Sequence, residues 1–357
     1  MKRILLCMIM VLACGSTALA QTSKQERIKY IRKCYAEAKE KIARNGKNGQ
    51  SPKDMQIILN QLEDEEIVLY DMDEINYYFD ETTEDNVEKK HPYFIVEKWS
   101  NHGHTRYREV LIEPKSQQVI FCYMKGETDA GFVVESRYYY DANGACVEQK
   151  HNTDNSWTTE ESEKKDAEFY LKIFNWINYN GYFIPLNPDA PQKPTTPKAE
   201  RMKHIRATYA QAKEKVARNA QGDMPNELRI TLHDRGDNWP PRTAVTNIYF
   251  EKKGEPTFKN DNPYCCYLIT RHDSAMNMDG YAEYLFDPTT HDLIFSYTKG
   301  SEEGETHEWR YYYDENGQCI ETKSNSEETD DGFYDKRAAR DLLHIFKTLI
   351  NGEDEDQ

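Results

Sequence analysis

Two short patterns carry residue types able to hold a metal. His102 and His104 sit two apart in "NHGHT", and the matching stretch "SAMNMDG" puts Met276 and Met278 at the corresponding positions. Alternate residues of a strand share a face, so a His-x-His pair can offer two imidazoles to one ion. A Met-x-Met answer points to copper, because thioether sulfur is a soft ligand for Cu(I). Two ligands do not complete a site, and both stretches fall where a hairpin tip is expected. A copper-binding envelope protein is therefore one functional reading of this chain.

A second pattern is aromatic and charged. Arg137 precedes Tyr138-Tyr139-Tyr140, and Arg310 precedes Tyr311-Tyr312-Tyr313. Glu109 answers Glu283, Lys125 answers Lys299, and Arg44-Asn45 answers Arg218-Asn219. One reading makes Tyr138, Tyr140, Arg137 and Glu109 a platform for a carbohydrate or peptide, repeated by Tyr311, Tyr313, Arg310 and Glu283. The other makes Arg and Glu a cross-strand pair and the middle Tyr a core residue. Alternation sends at least one Tyr of each triplet inward, which favours the structural reading.

Catalytic signatures are missing. There is no G-x-S-x-G, H-E-x-x-H, Walker loop or G-x-G-x-x-G, and paired carboxylates mean little in so acidic a chain. No cofactor is expected.

These residues ride on an internal repeat. "IRKCYAEAKEKIARN" from Ile31 returns as "IRATYAQAKEKVARN" from Ile205, and "RYYYDANGACVE" from Arg137 returns as "RYYYDENGQCIE" from Arg310. Each copy opens with an amphipathic helix: Ile28, Ile31, Tyr35, Ala38 and Ile42 answer Met202, Ile205, Tyr209, Ala212 and Val216. Short Tyr-rich strands follow, with Asn143-Gly144 and Asn316-Gly317 marking tight turns. A second helix closes each copy, with Thr158 and Glu161 as a capping box in the first. The expected fold class is α+β: two tandem copies of a domain with N-terminal helix, antiparallel β-meander sheet and C-terminal helix. The boundaries read as a signal peptide at 1–20, repeat domains at 21–184 and 199–352, and an acidic tail at 353–357.

Residues 185–198, "PLNPDAPQKPTTPK", carry proline at every third position, which suits a polyproline II linker holding two independently foldable modules apart.

Composition sets the outer bounds. The chain has 357 residues, 62 acids against 46 bases and a formal net charge of -16, so nucleic acid and anionic membrane surfaces are poor partners. The start, "MKRILLCMIMVLACGSTALA", has a basic n-region, an apolar stretch too short for a permanent span and a small-residue cleavage site before Gln21, after Ala20. A lipobox at Cys14 competes with it. Either way the expectation is a periplasmic or secreted protein with no transmembrane helix after signal removal. Export permits disulfides among Cys34, Cys122, Cys146, Cys265, Cys266 and Cys319, at most one or two. Cys122 and Cys146 lie two strands apart, about 9 Å or more, too far to bond.

The hairpin "YYYDANGACVEQ" resembles the unit of YD-type repeats of large secreted shell proteins. With its "ALAQT" junction and Tyr-rich hairpins, the chain is similar to uncharacterised secreted proteins of gut Bacteroidota, which implies an envelope location. The leading functional reading is an exported non-catalytic binding or inhibitory protein whose partner is an extracytoplasmic protein or glycan. A hydrolase of envelope or dietary carbohydrate is the alternative, with the copper reading third.

Overall fold

The structure is a computed structural model. It describes the chain apart from residues 1, 48–51, 63–69, 85–86, 102–103, 128–130, 154–157, 179–192, 221–225, 235–240, 253–263, 276–277, 303–304, 327–331 and 352–357.

The same series of elements occurs twice. The first half runs α1 (Lys2–Arg44), β1 (Asp54–Leu62), β2 (Tyr70–Glu84), β3 (Val87–Asn101), β4 (His104–Ile112), β5 (Val119–Glu127), β6 (Val133–Tyr140), β7 (Cys146–His151) and α2 (Glu160–Asn178). The second runs α3 (Lys198–Ala220), β8 (Glu227–Asp234), β9 (Arg242–Lys252), β10 (Tyr264–Ala275), β11 (Met278–Phe286), β12 (Leu293–Glu302), β13 (Glu305–Tyr313), β14 (Cys319–Ser324) and α4 (Phe333–Asn351). The cleavage site expected after Ala20 falls within the span of α1, and the side chains there lie outside the described residues, as does Cys14.

All strands are antiparallel and form one sheet in the order β14-β13-β12-β11-β10-β9-β8-β1-β2-β3-β4-β5-β6-β7. Each half is the expected meander. The halves are not held apart, which corrects the spacer expectation. Their first strands, β1 and β8, pair with each other, with Met55 opposite Leu232, Ile57 opposite Ile230 and Leu59 opposite Leu228. Ile57 and Ile230 are matching positions of the repeat, so a local two-fold axis passes between them, normal to the sheet. The reason is chemical: an unpaired edge of backbone donors and acceptors on β1 is satisfied by the identical edge of β8. Of the proline segment, 185–192 lie outside the described residues. Lys193 lies against the second half, its N–H donating to Asn316 Oδ1 at 2.7 Å and its Nζ to Asp292 at 2.6 Å.

Helices cover both faces. On one face Ala167, Ile173 and Phe174 of α2 and Ala339, Ile345 and Phe346 of α4 join a single core spanning both halves. The rings of Trp176 and His344 meet there at 5.1 Å. On the other face α1 and α3 make two smaller cores, Ile28, Ile31 and Ala38 against Phe94 and Phe121, and Met202, Ile205 and Ala212 against Leu268 and Phe295. Full burial of one such side chain is worth about 2 kcal/mol.

Local signals differ slightly from expectation. The cap of α2 is Thr159 with Ser162, whose side chains each bond the other's backbone N–H at 3.2 Å. Thr158 instead accepts the Tyr138 hydroxyl on its carbonyl at 3.1 Å. In the hairpin turns the positive φ belongs to Gly144 (77°) and Gly317 (70°), while Asp141 and Asp314 accept two backbone N–H bonds each. Bulges after Leu111 and Leu285 recur at matching places. The six cysteines from Cys34 to Cys319 are free thiols. No helix among the described residues is long and apolar enough to cross a membrane.

Candidate functional site

Alternation divides the expected aromatic platform. Tyr138 and Tyr140 point under α2 and are fully buried; Tyr138 bonds Thr158, and the Tyr140 hydroxyl lies 3.5 Å from the Glu160 carbonyl. Tyr311 and Tyr313 are buried likewise, and Tyr313 meets Ser296 at 3.0 Å. These four tyrosines are structural. Arg137, Glu109, Arg310 and Glu283 face the opposite way, toward α1 and α3, so they never shared a face with those rings. Arg137 also does not pair with Glu109. It pairs with Glu135 on its own strand at 3.1 Å, as Arg310 does with Glu308 at 2.9 Å.

The α1 side holds a cleft of about 430 Å³. Ile31, Arg32 and Tyr35, spaced one and three apart on α1, form one wall. Glu109 from β4, Phe121 and Tyr123 from β5, and Arg137 and Tyr139 from β6 form the floor. Strand alternation aims all five floor residues to the same side. Tyr123 and Arg137, near the middle of β5 and β6, are partly open.

Glu109 anchors the cleft. Its carboxylate accepts from Tyr107 Oη at 2.5 Å, Lys39 Nζ at 2.8 Å and Tyr35 Oη. Burial pushes this carboxyl up, but the bonds from Lys39, Tyr107 and Tyr35 outweigh it and hold the pKa below the usual glutamate value. The same contacts, with burial leading, push Tyr35 and Tyr107 above the ordinary phenol range. Above the anchor, the Tyr107 and Tyr123 rings meet edge to face at 6.3 Å, and the Arg137 guanidinium lies 5.1 Å from the centre of the Tyr123 ring.

The second half repeats this geometry. Glu283 accepts from Tyr209 and Tyr281 at 2.5 Å and from Lys213 at 2.8 Å. Tyr281 and Tyr297 meet at 6.2 Å, and Arg310 lies 5.0 Å from the Tyr297 ring. Each of the eight cleft residues has the same residue type at its match. Ile31, Arg32, Tyr35 and Glu109 answer Ile205, Arg206, Tyr209 and Glu283. Phe121, Tyr123, Arg137 and Tyr139 answer Phe295, Tyr297, Arg310 and Tyr312.

Most of the metal-ligand pattern lies outside the described residues. His102 and Met276 lie outside the described residues, as does the His104 side chain. His104 begins β4 and Met278, 43% exposed, begins β11. β3 and β10 run in opposite directions across the two-fold, so their hairpins turn at opposite ends of the sheet. Among the described residues no three His, Cys, Asp or Glu side chains converge to hold a metal.

Sequence reasoning missed a buried ion network under α2. Arg108, 1% exposed, bonds Glu97 at 2.7 Å, Glu163 at 2.8 Å and Asp166 at 2.7 Å. Tyr170 donates to Glu97 at 2.6 Å. The available signal was an arginine on an inward-facing position of "YREVLIE" whose match is Ala282. The chain matches no family model, and none of the curated proteins compared with it is detectably similar.

Proposed function

We propose that the chain is an exported, non-catalytic binding protein, built by tandem duplication of one α+β domain, with one ligand cleft per copy. The observation that carries this reading is the identity of the cleft between the halves, its partly or fully exposed members included. Ile31, Glu109, Phe121 and Tyr139 are buried, and packing accounts for their sameness. Arg32, Tyr35, Tyr123 and Arg137 are exposed or partly exposed, yet Arg206, Tyr209, Tyr297 and Arg310 repeat them, whereas exposed positions ordinarily vary. A shared ligand supplies a cause for that sameness.

The chemistry of Glu109 and Glu283 argues for binding over hydrolysis. A general acid needs a raised pKa and a proton to give. These carboxylates are held ionised, with three donors each. Their role is to fix the Tyr and Lys side chains around the cleft.

The two clefts open on the same face, nine strand steps apart, or about 43 Å along the sheet at ~4.8 Å per step. The two-fold points them in opposite senses. A polymer with a direction would meet the second cleft reversed, so the arrangement suits two separate ligand molecules or a two-fold partner. The envelope location rests on the leader-like N-terminus and the resemblance to secreted proteins. Full-length protein on arrays of envelope glycans and peptides should give a signal that the paired substitution Tyr123→Ala with Tyr297→Ala removes. If no signal depends on that pair, the binding reading fails.

A further inference from the structure

We infer that each cleft takes an acidic sugar, a carbohydrate unit bearing a carboxylate; this deepens the binding reading and rests on it. Charge is the first observation. Arg32, Lys39, Lys125 and Arg137 place four cations in or beside the first cleft, against the two carboxylates of Glu109 and Glu135. The second cleft has the same set: Arg206, Lys213, Lys299 and Arg310 against Glu283 and Glu308. Each cleft is a local excess of two positive charges on a chain whose net charge is -16. A strongly acidic protein that keeps two identical positive islands is complementary to an anion there and repels it elsewhere.

The donors are of two kinds. Lys39 and Lys213 are engaged by the anchoring glutamates, so they set the position of the tyrosines. Arg137 and Arg310 lie over tyrosine rings, each bound to one glutamate and with 42% of the side chain exposed. A guanidinium has a planar fork of donors that matches a carboxylate. Arg32 and Arg206, exposed on the helix wall, offer a second fork across the cleft.

Shape and backbone argue for sugar over peptide. The volume, about 430 Å³, lies in the range of sites for small ligands. Tyr123 is the partly exposed ring of the floor, over Phe121 and Tyr139 at 6% exposure each, and it offers a surface suited to the C–H face of a pyranose. β4, β5 and β6 are each paired on both sides, so their backbone has no free edge on which a peptide strand could add. In the first half, a recess of about 390 Å³ is lined by Lys98, Trp99, Arg106, Tyr107, Lys125 and Glu127. Trp99 of that recess is answered by Asp273.

The test is calorimetric titration of the full chain with digalacturonate, with its uncharged methyl ester and with tetraglutamate, each at low and physiological salt. Digalacturonate should fill two sites per chain, more weakly as salt rises. Its ester should bind at least about tenfold more weakly, the loss expected for one charge-assisted hydrogen bond. Arg137→Gln with Arg310→Gln should abolish binding while thermal unfolding stays unchanged, and Arg137→Gln alone should halve the stoichiometry. Equal affinity for the ester overturns the charge assignment and leaves the binding reading standing. Tetraglutamate held in place of the uronate, with the same dependence on Arg137, overturns the sugar class and leaves the binding reading standing. Failure of all three probes overturns the acidic-sugar inference, and the binding reading is then decided by the arrays and the Tyr123–Tyr297 pair.

Discussion

The two helix-covered faces of this sheet differ in how their charged groups match between the halves. On the α1 and α3 face, Lys39 reaches Glu109 and Lys213 reaches Glu283 at the same 2.8 Å, and the two clasps share every cleft residue. On the α2 and α4 face much of the apolar core is kept, with Ile57, Phe79, Ile95, Ile173 and Phe174 answered by Ile230, Phe250, Ile269, Ile345 and Phe346, while the charged groups differ. Arg108, opposite Glu97 in the register, is surrounded by Glu97, Glu163 and Asp166. In the second half Ala282 lies opposite Arg271, whose charge goes to Asp273 at 2.7 Å, and Asp335 takes hydroxyl bonds from Ser296 and Thr298. Asp166 and Tyr170 are answered by Ala338 and Leu342. A core needs only volume and satisfied polar groups, and many residue sets provide both. A ligand site needs particular groups in particular places.

That contrast can be broken most forcefully at Arg108. Arg108→Ala leaves Glu163 in the core without this cation and Glu97 with Arg106 and Tyr170, and should cost about 3–5 kcal/mol in denaturant unfolding. Arg108→Met with Glu97→Leu and Glu163→Gln should recover most of that loss, since the second half lives without the network. If the triple variant is as unstable as the single one, the network is not replaceable and the contrast is wrong.

The junction comes next. Ile57→Ala and Ile230→Ala occupy the two sides of the local two-fold and should each cost about 2–4 kcal/mol, nearly equally. Strongly unequal losses by calorimetry would show that the halves do not contribute symmetrically to the shared sheet.

A smaller effect is expected from acid. Glu109, Glu283 and Asp273 have pKa values below their ordinary ones in the fold. The folded state therefore binds fewer protons than the unfolded chain. Stability is complete above the ordinary carboxylate range and falls as pH drops through it, from about 5 downward. Glu109→Gln with Glu283→Gln should flatten this acid limb in melting-temperature scans. A limb of unchanged steepness would mean that the clasps are not what titrates.

Smallest for stability is Arg137→Ala or Arg310→Ala. Each breaks a partly exposed pair and should change unfolding by under about 1 kcal/mol. A larger loss would move these arginines from ligand binding to structure.

Much of the architecture was legible along the chain. Three-and-four spacing from Ile28 to Ile42 gave α1, alternation gave the meander, and Asp141 and Gly144 gave the hairpin turn. The site was legible in part. Arg137, Glu109 and their matches stand in the cleft, but the tyrosines grouped with them went to the other face. Neighbours in sequence on a strand face opposite ways, so "RYYY" sends Arg137 and Tyr139 to the cleft and Tyr138 and Tyr140 to the other face. The useful residues were instead Tyr123 and Tyr139, two apart from positions already in view, and Tyr35 and Arg32 from a helix some 70 residues or more upstream of the floor they meet.

What the sequence alone determined is local and repetitive: the helices, strands and turns, the internal match between the halves, and the acidic balance. These follow from periodicity and residue chemistry within a few residues. What only the tertiary structure decided is long-range. The pairing of β1 with β8 joins the halves because each meander leaves an identical edge of unpaired backbone, and no side-chain pattern announces which edge will meet which. The burial of Arg108, and the gathering of Arg32, Glu109 and Arg137 around one cleft, likewise depend on which face each helix covers. That choice is set by packing of the whole sheet.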